Sequence, residues 1–226
     1  MAGPIPEEIS YLVGLTKLDL FANAVSGTIP SGIGSLTGLT FIDLQENVLS
    51  GPGFPDAIFS LTDLESYRIN FNSLTGSLSS EIGGLTELEE LWAAENDLTG
   101  ELPTELGDLR DLKTLLLQEN TFIAKIPTEL GLIPLEGLFL YSNQLSGEIP
   151  SELFNLASLK SLRVDSNLLF GALPPQIGQL TDLEDFRVND NDLTGQIPSE
   201  LETMTSLGTY FDKHLPSWCL RFFLTL

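Results

Sequence analysis

Residues 15–36 read LTKLDLFANAVSGTIPSGIGSL. In this stretch Leu18 and Leu20 alternate with polar residues and lead to Asn23, and Gly27 follows four residues after the Asn. Alternating apolar side chains point to one face of a strand. The stretch therefore predicts a short strand that is buried on one face and ends at a tight turn.

The pattern L-x-x-L-x-L-x-x-N occurs eight times, at intervals of 23 to 25 residues. The copies begin at Leu15, Leu39, Leu64, Leu88, Leu112, Leu135, Leu159 and Leu183. The ninth position is Asn in every copy: Asn23, Asn47, Asn72, Asn96, Asn120, Asn143, Asn167 and Asn191. A Gly follows four residues later in seven copies, with Ala124 as the exception, and an apolar-Pro pair follows in most. A unit this short cannot bury its apolar face alone, but stacked units bury a continuous core.

Each repeated position has a physical role in such a stack. The strands align in parallel, and the Asn side chains form a structural ladder that satisfies backbone groups where the chain leaves the sheet. Gly permits the tight turn, and Pro suits an irregular return segment because it lacks an N–H group.

The repeat resembles the plant-type leucine-rich repeat, L-x-x-L-x-L-x-x-N-x-L-[ST]-G-x-[IL]-P-x-x-[IL]-G-x-L. Residues 88–109, LEELWAAENDLTGELPTELGDL, carry it almost letter for letter. The resemblance implies an α/β solenoid, a right-handed superhelix with a parallel concave β-sheet and short 3₁₀ or extended convex segments. Proteins with such repeats include ectodomains of plant receptor kinases and receptor-like proteins, and polygalacturonase inhibitors.

The sequence divides into three parts. We expect residues 1–14 to be the end of a preceding partial repeat without an N-terminal cap, and residues 15–206 to hold eight repeats. We expect residues 207–226 to be a divergent ninth repeat start and an irregular tail. That tail is interpreted either as a sign of truncation at one or both ends, or as an apolar cap. Uncapped ends predict a monomer or an end-to-end homodimer.

The composition excludes several classes of function. The chain has 226 residues and a formal net charge of −22, so nucleic acid is not an expected partner. We expect no direct membrane insertion by this segment, because no run of apolar residues is long enough. The compartment stays open: extracellular or cell-surface if the chain is a fragment of a receptor-like protein, cytoplasmic if it is complete.

We expect no enzyme, no catalytic residue, no cofactor and no metal site. One Cys and one His, Cys219 and His214, both lie in the irregular tail and have no evident third group to orient them. The repeats supply no pairing of a nucleophile with a base.

Outward positions of the strands escape the core constraint, so specificity is expected there. The middle outward position reads Asp19, Asp43, Arg68, Trp92, Leu116, Phe139, Arg163 and Arg187 along the repeats. Strands lie about 4.8 Å apart, which predicts a contiguous exposed stripe of Trp92, Leu116 and Phe139. Exposed aromatic and Arg side chains are frequent interface anchors.

We therefore expect a non-catalytic recognition module, a fragment of a receptor-like ectodomain, that binds a protein, peptide or glycan on the concave face. The expected ligand-binding residues are Arg68, Trp92, Leu116, Phe139, Tyr141, Arg163 and Arg187, with the Arg side chains pairing to acidic groups. One alternative is an inhibitor of a secreted enzyme, which would present Asp19, Asp43 and Glu46 to a basic cleft. Another alternative is a small intracellular scaffold. Ice binding is not expected, because the outward columns are irregular and charged.

Overall fold

The computed structural model describes residues 1–207, which form a solenoid of repeated strand, turn, strand and 3₁₀ helix. Within this range the chain builds two parallel sheets, of eight and nine strands, in which each strand pairs with the equivalent strands of the adjacent repeats. The predicted solenoid is confirmed. The strands are numbered β1 to β17 in chain order.

The second halves of the repeats, after each ladder Asn, contribute the nine-stranded sheet. Its strands are β1 (Ala2–Pro4), β3 (Ala24–Gly27), β5 (Val48–Pro52), β7 (Ser73–Ser77), β9 (Asp97–Glu101), β11 (Thr121–Ala124), β13 (Gln144–Gly147), β15 (Leu168–Gly171) and β17 (Asp192–Leu193). We call it the second sheet, and the sequence analysis did not anticipate it.

The L-x-L segments form the concave sheet, as predicted. Its strands are β2 (Lys17–Asp19), β4 (Phe41–Asp43), β6 (Ser66–Arg68), β8 (Glu90–Trp92), β10 (Thr114–Leu116), β12 (Gly137–Phe139), β14 (Ser161–Arg163) and β16 (Asp185–Arg187). Equivalent residues of neighbouring repeats are Cα partners along the whole sheet, for example Leu91 with Leu115 and Leu115 with Leu138. The leucines between the sheets and the return segments form one continuous core.

The return segments are short 3₁₀ helices, as the resemblance implied. They span Glu7–Tyr11, Ser31–Ser35, Asp56–Ser60, Ser80–Gly84, Thr104–Asp108, Thr128–Leu132, Ser151–Asn155, Pro175–Gln179 and Ser199–Thr203. Most begin after a Pro in an extended conformation, which fits the fixed backbone angle of that residue. None of these helices has the length and hydrophobicity needed to cross a membrane.

Adjacent return segments approach to backbone contact where each carries a Gly. A methyl group on Gly107 would lie 2.5 Å from Glu129 Cβ, and one on Gly131 would lie 2.5 Å from Glu152 Cβ. No real Cβ fits at that distance, so any larger residue at either position would push the repeats apart.

Two turns in each repeat use the left-handed region of backbone space. The residue before each ladder Asn has φ between 51° and 55°, and this includes the bulky, exposed Phe71. The Gly four residues after the ladder Asn has φ between 75° and 91° in seven repeats, and Ala124 takes its place in the eighth with φ 65°. This conformation costs an L-residue about 1–2 kcal/mol, which explains why Gly recurs at the second turn.

The second repeat, one residue longer than the usual 24, is accommodated by a change in the core. Tyr67 stands where the other repeats have a smaller apolar residue, and it is fully buried. Its hydroxyl donates to the carbonyl oxygen of Gly53 at 2.7 Å, and its ring packs edge-on against Phe54. The additional backbone carbonyl of this repeat is thereby satisfied inside the protein.

Candidate binding site on the concave sheet

The middle outward positions of the concave sheet form an in-register row across the repeats. Trp92 is the Cα partner of Leu116, and Leu116 is the Cα partner of Phe139. We call these three residues the central row. Arg68 and Arg163 flank it as the next partners on either side. The three side chains are half-buried rather than fully exposed, which corrects the expected exposed stripe: large side chains on strands about 4.8 Å apart cover one another's flanks.

The guanidinium of Arg68 is fixed on several sides. Its centre lies 4.1 Å from the ring centroid of Trp92 and 5.2 Å from that of Phe41. Nε and Nη2 donate to the same carboxylate oxygen of Glu90, at 3.0 and 2.6 Å. These contacts with two rings and a carboxylate fix the Arg68 side chain at one end of the central row.

The polar residues on the side of Arg68 away from the central row hydrogen-bond to one another. Gln45 donates through Nε2 to both carboxylate oxygens of Asp43 at 3.0 Å, and Asn70 Nδ2 donates to Gln45 Oε1 at 3.0 Å. All three residues are buried, and Asp43 also lies 3.8 Å from the Arg68 guanidinium. Asp43 is therefore not available to a basic enzyme cleft, in contrast to the inhibitor alternative. Asp19 and Glu46 remain exposed.

The other two Arg side chains of the row are also paired within the chain. Arg163 lies 3.8 Å from the centroid of the Tyr141 ring and 3.3 Å from a carboxylate oxygen of Asp165. Arg187 Nε donates to Asp185 at 2.9 Å. The expectation that Arg68, Arg163 and Arg187 are open to acidic ligand groups is thus corrected, since each already contacts a carboxylate of its own chain.

The two edges of the concave sheet differ in charge. At the edge where the strands begin, Lys113 pairs with Glu89 at 2.7 Å and Lys160 with Glu136 at 2.6 Å. At the edge where the strands end, Glu95 and Glu119 occupy equivalent positions of adjacent repeats. Neither has an ion pair within residues 1–207. We call these two residues the acidic edge.

The acidic edge is electrostatically unfavourable by itself. Partial burial, followed by the charge of Glu119, raises the pKa of Glu95 above its ordinary value. Burial also raises the pKa of Tyr141, which the charge of Arg163 opposes and the charges of Glu119 and Glu95 reinforce. The pKa of Tyr141 therefore depends on both the acidic edge and the Arg163 cation.

Two polar atoms near the central row have no hydrogen-bond partner. Trp92 Nε1 and Gln118 Oε1 are buried and unpaired among the residues that the structure describes. Buried polar groups in proteins are nearly always paired. The surroundings of Trp92 and Gln118 are therefore the part of the concave face where buried polar atoms lack hydrogen-bond partners.

The ladder Asn residues hold successive repeats together. Asn120 accepts through Oδ1 from the N–H of Leu98 at 3.0 Å, and its Nδ2 donates to the carbonyl oxygens of Ala93, Leu117 and Gln118 at 3.0 to 3.2 Å. Two of these four partners belong to the preceding repeat. Ladder residues from Asn47 to Asn191 repeat this arrangement.

The remaining expectations concern a metal site and two residues of the tail. In residues 1–207, no group of three or more His, Cys, Asp or Glu side chains is arranged to hold a metal ion. His214 and Cys219 lie outside the described residues. The exposed apolar side chains Ile123, Leu168 and Phe170 lie on the second sheet, which the repeat pattern did not predict.

Sequence and structure comparisons agree with this geometry. The family model described as Leucine Rich Repeat matches residues 134–156, and no curated protein matches the chain. The chain has the leucine-rich-repeat fold, and its repeats are similar to those of plant receptor ectodomains.

Solved structures of receptor ectodomains are similar to most of the chain. One is the leucine-rich-repeat ectodomain of the Arabidopsis thaliana receptor kinase GASSHO1/SCHENGEN3 in complex with CASPARIAN STRIP INTEGRITY FACTOR 2. It has 33% identity and a TM-score of 0.82, over 92% of this chain and 28% of that one. Another is the Arabidopsis receptor kinase HAESA in complex with the peptide hormone IDA and the co-receptor SERK1. It has 34% identity and a TM-score of 0.85, over 91% of this chain and 35% of that one.

The chain thus spans 28% and 35% of these two structures. A third similar structure is a plant ice-binding protein, with 28% identity and a TM-score of 0.74, over 88% of this chain and 71% of that one.

Proposed function

We propose that the protein is a recognition module that binds a peptide or an extended protein segment on its concave face, as part of a receptor-like ectodomain. The observation that carries the proposal is the central row, three large apolar side chains in register between two fixed Arg side chains. The receptor kinase HAESA, which is similar over 91% of this chain, was solved in complex with a peptide hormone.

A peptide suits this face better than a glycan. Sugar recognition needs many free hydrogen-bonding groups, whereas Asp43, Gln45 and Asn70 bond to one another and the Arg side chains are paired. Apolar anchors in a rigid polar surround are typical of peptide and protein contacts.

The test is a selection of random-sequence peptides displayed on phage, carried out with the immobilised protein. We expect enrichment of peptides with apolar residues, and a loss of about tenfold or more in their affinity for Trp92→Ala. The matched control is Phe170→Ala, which removes an exposed aromatic ring from the second sheet. Selected peptides that bind both variants as well as the wild type would count against the proposal.

The receptor-like context has a separate test. Sequencing the full-length transcript across both ends of this chain would support it by finding a secretion signal and further repeats upstream, with a membrane span downstream. A transcript whose coding region begins at Met1 and ends at Leu226 would favour the intracellular scaffold instead.

The second sheet favours ice binding as a second candidate function. Ser77, Thr99 and Thr121 are Cα partners on three successive strands and are all exposed. Strands about 4.8 Å apart hold such hydroxyl groups in a regular row, and one structural neighbour is a plant ice-binding protein. The exposed charged residues Asp97 and Glu101, on the same strand as Thr99, interrupt this surface of hydroxyl groups.

Ice recrystallisation in the presence of the protein tests this second function. Inhibition by the wild type that Thr99→Lys abolishes, and Trp92→Ala leaves unchanged, would support the second sheet as an ice-binding surface. No inhibition by the wild type would exclude it.

A further inference from the structure

We propose that the concave face takes a basic peptide, with apolar side chains of the ligand on the central row and a Lys or Arg side chain at the acidic edge. This inference rests on the proposed peptide-binding function and specifies the charge of the ligand. It reverses the simplest interpretation of the sequence, in which three Arg residues along the row indicate an acidic ligand.

The cations of the concave face are already neutralised. Arg68 contacts Glu90 at 2.6 Å, Arg163 contacts Asp165 at 3.3 Å and Arg187 contacts Asp185 at 2.9 Å. An acidic ligand would have to break one of these pairs and leave a partly buried carboxylate without its cation, which is costly.

The Lys residues at the opposite edge are neutralised in the same way. Lys113 and Lys160 contact Glu89 and Glu136 on the preceding repeats. Next to the central row, the edge where the strands begin therefore holds two neutralised pairs, while Glu65 and Glu184 at the equivalent positions of other repeats add further negative charge.

The acidic edge carries two carboxylates that no ion pair compensates within the described residues. Glu119 is exposed and Glu95 is half-buried. Their backbones are fixed on adjacent turns by the hydrogen bonds from Glu95 N to Gln118 O at 3.0 Å and from Asn96 N to Glu119 O at 3.3 Å. Two carboxylates held on neighbouring turns repel each other, and a cation from the ligand would relieve that repulsion.

The acidic edge adjoins the central row. Glu95 and Glu119 lie three residues after Trp92 and Leu116, in the turn that follows each of these two strands. Tyr141 lies two residues after Phe139, with its ring against the Arg163 guanidinium, and offers a flat surface for the aliphatic stem of a Lys or Arg.

The experiment starts from the phage-displayed peptides selected with the wild-type protein, resynthesised with their basic residues kept or replaced by Gln. Their affinities are measured for the wild type and for the double variant Glu95→Gln/Glu119→Gln. The matched control is Glu105→Gln/Glu129→Gln, which removes the same charge from return segments of two adjacent repeats. We expect the first double variant and the Lys- or Arg-to-Gln peptides to lose roughly threefold to tenfold in affinity at low salt. The control variant should bind like the wild type.

The outcomes separate this inference from the function on which it rests. If the selected peptides need Trp92 but are neutral or acidic, or bind the Glu95→Gln/Glu119→Gln protein normally, the charge inference fails and peptide binding stands. If the peptides bind Trp92→Ala normally, the concave site itself is wrong. Absence of any enriched peptide would count against both.

Discussion

The hydroxyl of Tyr67 and the carbonyl oxygen of Gly53, 2.7 Å apart, join the core of the third repeat to the longer second repeat. Burial raises the pKa of Tyr67, so the hydroxyl keeps its proton and donates. We expect Tyr67→Phe to lower the free energy of unfolding by about 1–3 kcal/mol, because a buried carbonyl is left unpaired. Urea denaturation measures this, with Tyr141→Phe, at a half-buried position, as the control. An equal loss in both variants would contradict the role given to this hydrogen bond.

Asn120 is expected to be among the most sensitive polar residues. Replacing it by Ala leaves the Leu98 N–H and three carbonyl oxygens without their partner, which predicts a loss of about 3 kcal/mol or more. Thermal and urea unfolding provide the measurement, and Asn155→Ala is the control because Asn155 is exposed and outside the ladder. A loss below about 1 kcal/mol would show that water replaces the ladder bonds readily.

Ala124→Gly should stabilise the protein. Ala124 has φ 65°, in a turn where the other seven repeats have Gly. Relief of the left-handed strain, about 1–2 kcal/mol, exceeds the entropy that Gly adds to the unfolded chain, about 0.4–1 kcal/mol. The reverse change, Gly100→Ala, should destabilise, since the new methyl group would also meet Ser77 Cβ at 2.9 Å. Equal urea midpoints for all three proteins would contradict the strain argument.

The raised pKa of Glu95 predicts a pH-dependent effect on stability. A carboxyl whose pKa is higher in the folded state favours folding in its protonated form, and this contribution is lost as the pH rises above the unfolded value, ordinarily 4.5. Glu95→Gln should therefore be more stable than the wild type at neutral pH, with the difference shrinking as the pH falls through the raised pKa towards 4.5. Denaturation across this range, with Glu81→Gln as the control, checks the prediction. A difference that grows on acidification would contradict it.

Arg68 and Trp92 should be energetically coupled. The guanidinium lies 4.1 Å from the ring centroid in a partly buried setting, and such contacts contribute about 0.5–2 kcal/mol. A double-mutant cycle with Arg68→Ala and Trp92→Ala measures the coupling in the free energy of unfolding. Additive single effects would mean that the ring does not hold the Arg side chain.

The sequence predicted the repeated part of the fold because one rule applies to every copy. The buried leucines and the ladder Asn occupy their expected places, and a Pro precedes every described 3₁₀ helix except Ser80–Gly84, which follows Ser79. The second sheet was not predicted, although Val25, Leu49 and Leu74 recur at the same position after the ladder Asn and are buried in the structure. The outward columns of the concave sheet argue against ice binding, whereas the second sheet adds a surface with a row of hydroxyl groups.

The row in which the candidate residues lie could be predicted from the sequence, whereas their exposure and their pairing could not. Placement of Trp92, Leu116 and Phe139 in one row follows from the repeat spacing. The pairing of Arg68 with Glu90 joins residues 22 positions apart, so it becomes visible only once adjacent strands are set in register. The hydrogen bond between Tyr67 and Gly53 depends on how the core adapts to a longer repeat, which the repeat pattern does not specify.

The close approach of the return segments at Gly107 and Gly131 has a consequence for association kinetics. Because neighbouring repeats approach closely there and are hydrogen-bonded through both sheets, we expect the concave face to change little when a partner arrives. The partner must supply the conformational change, so the entropy lost on binding falls mainly on a flexible ligand. Ligands constrained in an extended shape should therefore associate faster than flexible ones of the same composition.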